Sequence, residues 1–158
     1  MMTSIHIRAA KTMDQEAIYE LHQDSVRQLC GVDYSRAQID SWLAGRQAVM
    51  YEPAIEAGRL WVAETDAGLL GFIEVDGHEV TKLFVAGRGA SRGVGHALLQ
   101  YALEVMRAQG VTVAYLEATL TAVPFYERQG FVAGAHGFFS HGQSPIRLEV
   151  VHMMKPLS

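Results

Sequence analysis

The spacing of hydrophobic and polar positions changes several times along the chain. Residues 5–10 (IHIRAA) alternate, as a strand with one buried face does. From 13 to 29 the spacing is helical, with Ala17, Ile18, Leu21 and Leu29 near one face. Thr12 and Gln15 stand before it as a capping-box pair. Ser35 and Gln38 repeat that pair ahead of Ile39, Trp42 and Leu43, which predicts a second helix stopped by Gly45. Residues 46–58 are ambiguous, with Pro53 interrupting a helical turn. Three short runs suited to strands follow at 59–65, 69–75 and 78–85, separated by Asp66-Ala67-Gly68 and Asp76-Gly77, which predicts an antiparallel meander. From 93 the helical period returns. Val94, Ala97, Leu98, Tyr101 and Val105 share one face, His96, Gln100, Glu104 and Arg107 point away, and Gly110 is placed as the stop. Residues 111–118 read as a strand and 121–130 as a short helix closed by Gly130, with Pro124 in its first turn. Two last strands are predicted near 131–139 and 146–154. There is no internal repeat, low-complexity tract or linker. The expectation is one mixed α/β domain over residues 1–158.

Composition narrows the class without choosing a function. A 158-residue chain with 49% hydrophobic and 19% charged residues can bury a real core. No run reaches the roughly 18 apolar residues of a membrane span, so no membrane partner is expected. The single cysteine, Cys30, cannot form an internal disulfide, which points to the reducing cytoplasm. A formal charge of −4 argues against nucleic acid as a partner and is compatible with a cationic, amine-bearing substrate. His136, His141 and His152 are too scattered to predict a metal site, so no metal is expected.

The decisive stretch is LFVAGRGASRGVGHALL (83–99), where an apolar run ends in four glycines within nine residues and a helix follows. A Walker-type phosphate loop needs Gly-Lys-Ser/Thr, and Gly93-Val94-Gly95-His96 has no lysine. The dinucleotide fingerprint fails because Arg92 stands where its third glycine belongs. One remaining reading is a turn whose glycines only let strand and helix pack closely. The other is electrostatic. Backbone N–H groups from about 91 to 96 converge at a helix N-terminus carrying roughly half a positive charge. Gly93 and Gly95 have no Cβ to hold an anion away, and Arg88 and Arg92 add positive charge. Such a loop can hold a pyrophosphate.

With these residues the chain resembles the GCN5-related N-acetyltransferases (GNAT). Ala90-Ser91-Arg92-Gly93-Val94-Gly95 is similar to that family's pyrophosphate loop, Q/R-x-x-G-x-G/A, with Ala90 in place of the usual Gln or Arg. LEATLTAVPFYERQGF (116–131) resembles the family's segment ending in FYxxxGF, with Thr119 where an Asn is common. The resemblance covers nearly the whole chain. It implies the GNAT fold: a central, mostly antiparallel twisted sheet flanked by helices, in the order β-α-α-β-β-β-α-β-α-β-β. It also implies transfer of an acetyl group from acetyl-CoA (coenzyme A) to an amine in a ternary complex.

Under that resemblance, Leu83, Phe84, Val85, Arg88, Ala90, Ser91, Arg92, Gly93, Val94, Gly95, His96, Thr119 and Tyr126 are the expected cofactor-binding residues. Glu79 matches the family's glutamate base. It lies about 13 Å along the strand from Leu83, so water would relay the proton. Its other reading is a solvated strand-end glutamate. Tyr126 is the implied acid for the departing thiolate, a phenol that ordinary packing could also explain. The Leu83 N–H is the implied oxyanion donor, and the main chain of Phe84 and Val85 would pair with the pantetheine amides. Tyr34, Trp42 and Phe138, with Phe139 and the 140–145 loop, would wall the acceptor pocket. Edge strands near the C-terminus favour a homodimer. Two alternatives stay open: a catalytically silent acyl-CoA sensor of the same fold, and a module binding another phosphate ligand.

Overall fold

The first alternating run forms β1 (His6–Ala9), which pairs antiparallel with β2 (Leu60–Thr65) across a long intervening excursion. The chain is seen here as a computed structural model that describes residues 4–29, 31, 33–89, 93–139 and 147–157. The excursion holds α1 (Gln15–Leu29), α2 (Arg36–Leu43) and α3 (Glu52–Glu56). β3 (Gly68–Asp76) and β4 (Glu79–Val85) complete the expected meander. Then come α4 (Val94–Ala108), β5 (Val113–Thr119), α5 (Val123–Arg128), β6 (Val132–Phe139) and β7 (Leu148–Pro156). The seven strands form one sheet in the order β1-β2-β3-β4-β5-β7-β6. Every neighbour pair is antiparallel except β4 with β5.

Three sequence-based details change. The cap before α1 does not use Thr12 and Gln15. A 3-10 turn at Thr12–Asp14 precedes the helix, and the Asp14 carboxylate accepts the Lys11 N–H at 2.8 Å. A carboxylate is the stronger acceptor for such a group. Thr12 and Gln15 donate instead to Glu52 at the start of α3. The ambiguous 46–58 stretch becomes a 3-10 turn at Ala48–Tyr51 followed by α3, with Pro53 in the first turn where a missing N–H costs nothing. The cap of α2 is as expected: Ser35 and Gln38 exchange bonds of 2.8 and 3.1 Å.

On α4 the buried stripe is rotated from the expected one. It consists of Val94, Leu98, Leu99, Ala102, Leu103 and Met106, while Tyr101 is exposed and lies beside Trp61. The helix sits directly on Gly71 of β3, where an added Cβ would come within 2.9 Å of Leu98 and 3.0 Å of Val94. That contact centres the helix on the 94/98/102 row and leaves Tyr101 at its margin. α4 and α5 cover one face of the sheet with the largest core cluster, including Ile73, Val80, Leu116 and Met153. On the other face α1 and α3 pack on Leu60, Val62 and Phe72, and α2 packs near Leu148.

Candidate active site

β4 and β5 run parallel but pair only through Glu79 with Tyr115 and Val80 with Leu116. Beyond that point they part, so the sheet is open at its middle along residues 81–85 of β4. A backbone irregularity decides what faces the gap. The His78 carbonyl accepts from Tyr115 on β5, whereas the Ala86 N–H donates to Leu70 on β3. These residues are an even number of positions apart and would face the same neighbour in an unbroken strand. The register slips between Val80↔Val75 and Lys82↔Glu74, leaving Thr81 as the extra residue of a bulge. After it the alternation turns the main chain of Leu83 and Val85 toward the gap. Phe84 faces Phe72 of β3 instead, so its N–H and C=O are engaged within the sheet. The Val85 main chain therefore faces the gap, and that of Phe84, expected beside it, does not.

A cleft of about 450 Å³ fills the gap on the α4/α5 side. Leu83 and Val85 of β4 and Phe125 and Tyr126 of α5 line it, together with Gly93, Val94, Gly95 and His96 at the start of α4. Gly93 holds φ +79 immediately before α4, and open space surrounds the point where its Cβ would stand. The N–H groups of Val94, Gly95 and His96 precede the first intrahelical bond, Ala97 N–H to the Gly93 carbonyl at 3.0 Å. A Cβ on Gly95 would come within 3.3 Å of the Phe125 ring. Ala90, Ser91 and Arg92 lie outside the described residues. Arg88 does not line this cleft. Its guanidinium donates to the Leu69 carbonyl and lines a separate cavity with Asp24 and Gln28.

Tyr126 is buried, edge-on to Phe125 and Phe131. Burial pushes its phenol well above the ordinary value, which keeps it protonated. Thr119 lies where the cleft meets a second cavity, and its hydroxyl accepts the Ala122 N–H at 3.3 Å.

The second cavity, about 170 Å³, opens on the α1/α2 side. It shares Val80, Thr81, Lys82, Phe84, Glu117 and Thr119 with the first, so the split strands join the two. Glu79, Tyr34 and Trp42 all line it. The Tyr34 hydroxyl donates to the Glu149 carbonyl at 2.7 Å and accepts the Leu120 N–H at 2.8 Å, tying α2's entry to β5 and β7. Burial first, and then the neighbouring Glu117, raise the Glu79 pKa above its usual 4.5. Phe138 is not brought here. It is largely exposed on the edge strand β6, because that strand pairs only with β7. The Phe139 side chain and residues 140–145 lie outside the described residues, as does Cys30.

A family profile for the acetyltransferase (GNAT) domain matches residues 30–151. The chain is also 31% identical over 130 residues to the uncharacterized N-acetyltransferase YafP of Escherichia coli K12, covering 82% of this chain and 83% of that one. The chain belongs to the GNAT acetyltransferase family. Its fold is that of a GCN5-related N-acetyltransferase from Rhodopseudomonas palustris, with a TM-score of 0.86 at 23% identity over 99% of both chains. It is likewise that of the PaiA N-acetyltransferase from Thermoplasma acidophilum, solved in complex with coenzyme A, with a TM-score of 0.79 at 22% identity over 97% and 99% of the chains.

Several side chains in this GNAT site escaped sequence reasoning. Glu117 borders both cavities and stands 4.0 Å from His152, whose ring also contacts the Tyr115 hydroxyl. Period-two spacing on β5 could have placed Tyr115, Glu117 and Thr119 on one face. His22 and Arg46 line the smaller cavity from α1 and from the loop after α2. Nothing in their local sequence marks them.

Proposed function

We propose that this GNAT protein transfers an acetyl group from acetyl-CoA to a primary amine by direct attack in a ternary complex, with a small cationic amine as acceptor. The observation that carries the reading is the opening of β4 from β5, with the Leu83 and Val85 main chain turned into a cleft that ends at free N–H groups of α4. A pantetheine arm and a pyrophosphate fit that combination: amides for the strand edge, negative charge for the helix N-terminus. Acetyl-CoA, the acyl donor of GNAT acetyltransferases, supplies an activated thioester there. Val85 pairs with the arm, and Gly93, Val94, Gly95 and His96 hold the diphosphate. Ser91 and Arg92, and Ala90 ahead of them, belong to the same proposed loop.

Glu79 takes the proton from the acceptor ammonium. Its raised pKa brings it nearer to the working range of a base. It lines the smaller cavity whereas Leu83 lines the larger one, so water completes the path. The Leu83 N–H donates to the oxygen that gains negative charge. Tyr126 holds the proton that the leaving sulfur requires. Glu79 and Glu117 together favour a cationic acceptor, with Tyr34 and Trp42 as its walls.

The same proposal places the protein in the cytoplasm; no described helix is long and apolar enough to cross a membrane. It has the protein pair as a homodimer through the β6 edge, where Val132 and Phe138 are exposed. The test is an amine panel with acetyl-CoA, following free thiol. Amine-dependent thiol release supports the enzyme. Coenzyme A binding with no release under any amine leaves a silent sensor instead. No uptake of coenzyme A at millimolar concentration overturns both.

A further inference from the structure

The smaller cavity carries side chains of both signs. Glu79 and Glu117 enter it from the split strands, while His22 and Arg46 enter from the helical layer. His22 is fully buried, with its ring 4.1 Å from the Phe84 ring and its Nδ1 2.7 Å from the Tyr51 hydroxyl. Its Nε2 has no partner, nor does the buried Nε of Arg46. Unpartnered polar atoms in such a place are costly unless something outside the chain completes them.

The identity of these atoms follows from their neighbours. Burial keeps His22 uncharged, and the nearby cations Arg46 and Lys82 act in the same direction. One ring nitrogen is therefore a donor and the other an acceptor. Arg46 lies beside the Tyr51 hydroxyl, opposing the rise that burial gives that phenol. A guanidinium has only donors, so the Tyr51 oxygen accepts from Arg46, and among the described residues His22 Nδ1 is the acceptor within reach of the Tyr51 hydrogen. His22 Nε2 then carries the ring proton. His22, with its unpartnered N–H, and Arg46 thus line the same cavity. Among the described residues, no carboxylate lies within 4.0 Å of Arg46, whereas Lys82 is held by Glu74 at 2.7 Å.

We propose that His22 and Arg46 bind a carboxylate of the acceptor, so that the acceptor is an amino acid whose amine is held on the Glu79 and Glu117 side. The inference rests on the proposed acetyl transfer. A neutral donor paired with a guanidinium suits a planar carboxylate, and a cavity of ~150 Å³ accommodates a molecule the size of benzene, comparable with the 170 Å³ here.

The test compares amino acids with the amines left when their carboxylate is removed: L-lysine against cadaverine, L-ornithine against putrescine, β-alanine against ethylamine and L-phenylalanine against phenethylamine. At least one amino acid should exceed its partner by about tenfold or more in kcat/KM. Arg46→Gln should reduce that ratio to twofold or less, and Arg46→Lys should restore part of it. Equal or better turnover of every decarboxylated amine, or a ratio that survives Arg46→Gln, overturns the inference while leaving acetyl transfer standing. A second readout needs no turnover. In histidine-labelled protein loaded with coenzyme A, the His22 Nε2–H resonance should shift with the same amino acid, remain still with its amine partner, and stop responding in Arg46→Gln. Those shifts without acetylation of any amine would uphold the subsite and sink the acetyl-transfer reading instead. A still resonance with every probe counts against the subsite.

Discussion

The two cavities on either side of the split sheet are built from different materials. The larger one, on the α4/α5 side, offers main chain: the strand edge at Leu83 and Val85 and the helix N-terminus at Gly93 to His96. The smaller one gathers side chains from separate elements: Glu79 on β4, Glu117 on β5, His22 on α1 and Arg46 after α2. A cofactor common to many proteins can be held by a backbone shape. An acceptor is told apart by groups that individual substitutions can change without disturbing the fold.

The proposed chemistry joins the two sides, so the largest effect is expected where they meet. Tyr126→Phe and Glu79→Gln should each lower kcat by about 10²-fold, within the range for a positioned acid or base. Coenzyme A affinity by calorimetry should stay within about twofold of the parent. Glu79→Gln should also flatten the rise of rate with pH. If both variants match the parent across pH 6–9, neither residue carries a proton.

A backbone site should respond to charge at the loop more than to volume. Gly93→Asp places a carboxylate before α4, where nothing lies within 4 Å of the Cβ and where Asp tolerates a positive φ better than most residues. Coenzyme A should then bind at least tenfold more weakly, while the strain at that φ lowers the melting temperature by only a few degrees. Gly93→Asn, with the same shape and no charge, should recover most of the affinity. Equal losses in the two variants would mean that strain, and not repulsion of a diphosphate, explains the effect.

On the side-chain half, Glu117→Gln removes a negative neighbour that helps raise the Glu79 pKa. The acid limb of kcat/KM should move to lower pH, since a close like charge disfavours the ionised form of Glu79. A limb that stays in place would separate Glu117 from the base.

The same division explains what the sequence revealed. The meander, the turn from Gly93 into the following helix and the short helix ending at Gly130 depend on local spacing and turn residues, and the structure has them at nearly the expected positions. The bulge at Thr81 was not legible, because no glycine or proline marks it, yet it selects Leu83 and Val85 over Phe84. Phe138 was misplaced because a strand's position in the sheet is a non-local property. β7 inserts between β5 and β6 and carries Phe138 away from the gap. His22 sits in a helix that reads as an ordinary amphipathic stretch. Only the docking of α1 on Phe72 and Phe84 makes it a cavity residue.

The smallest expected effect concerns stability and tests that burial of His22 directly. The folded state holds His22 uncharged well below its ordinary pKa of 6.5, mainly because burial disfavours the charged ring. In the unfolded chain the same imidazole takes up a proton once the pH falls below about 6.5. The unfolded state therefore binds more protons, and stability should fall with decreasing pH at up to about 1.4 kcal/mol per unit. His22→Gln cannot titrate, so its deficit relative to the parent should be largest at neutral pH and shrink between pH 6.5 and 5.5. The other six histidines are common to both proteins and cancel in that difference. Urea unfolding at pH 7.5, 6.5 and 5.5 measures it. Parallel curves would mean that His22 takes up its proton over the same pH range folded and unfolded, and a deficit that grows as the pH falls would mean a proton held in the folded state; either outcome would remove the burial-enforced neutral ring from the smaller cavity.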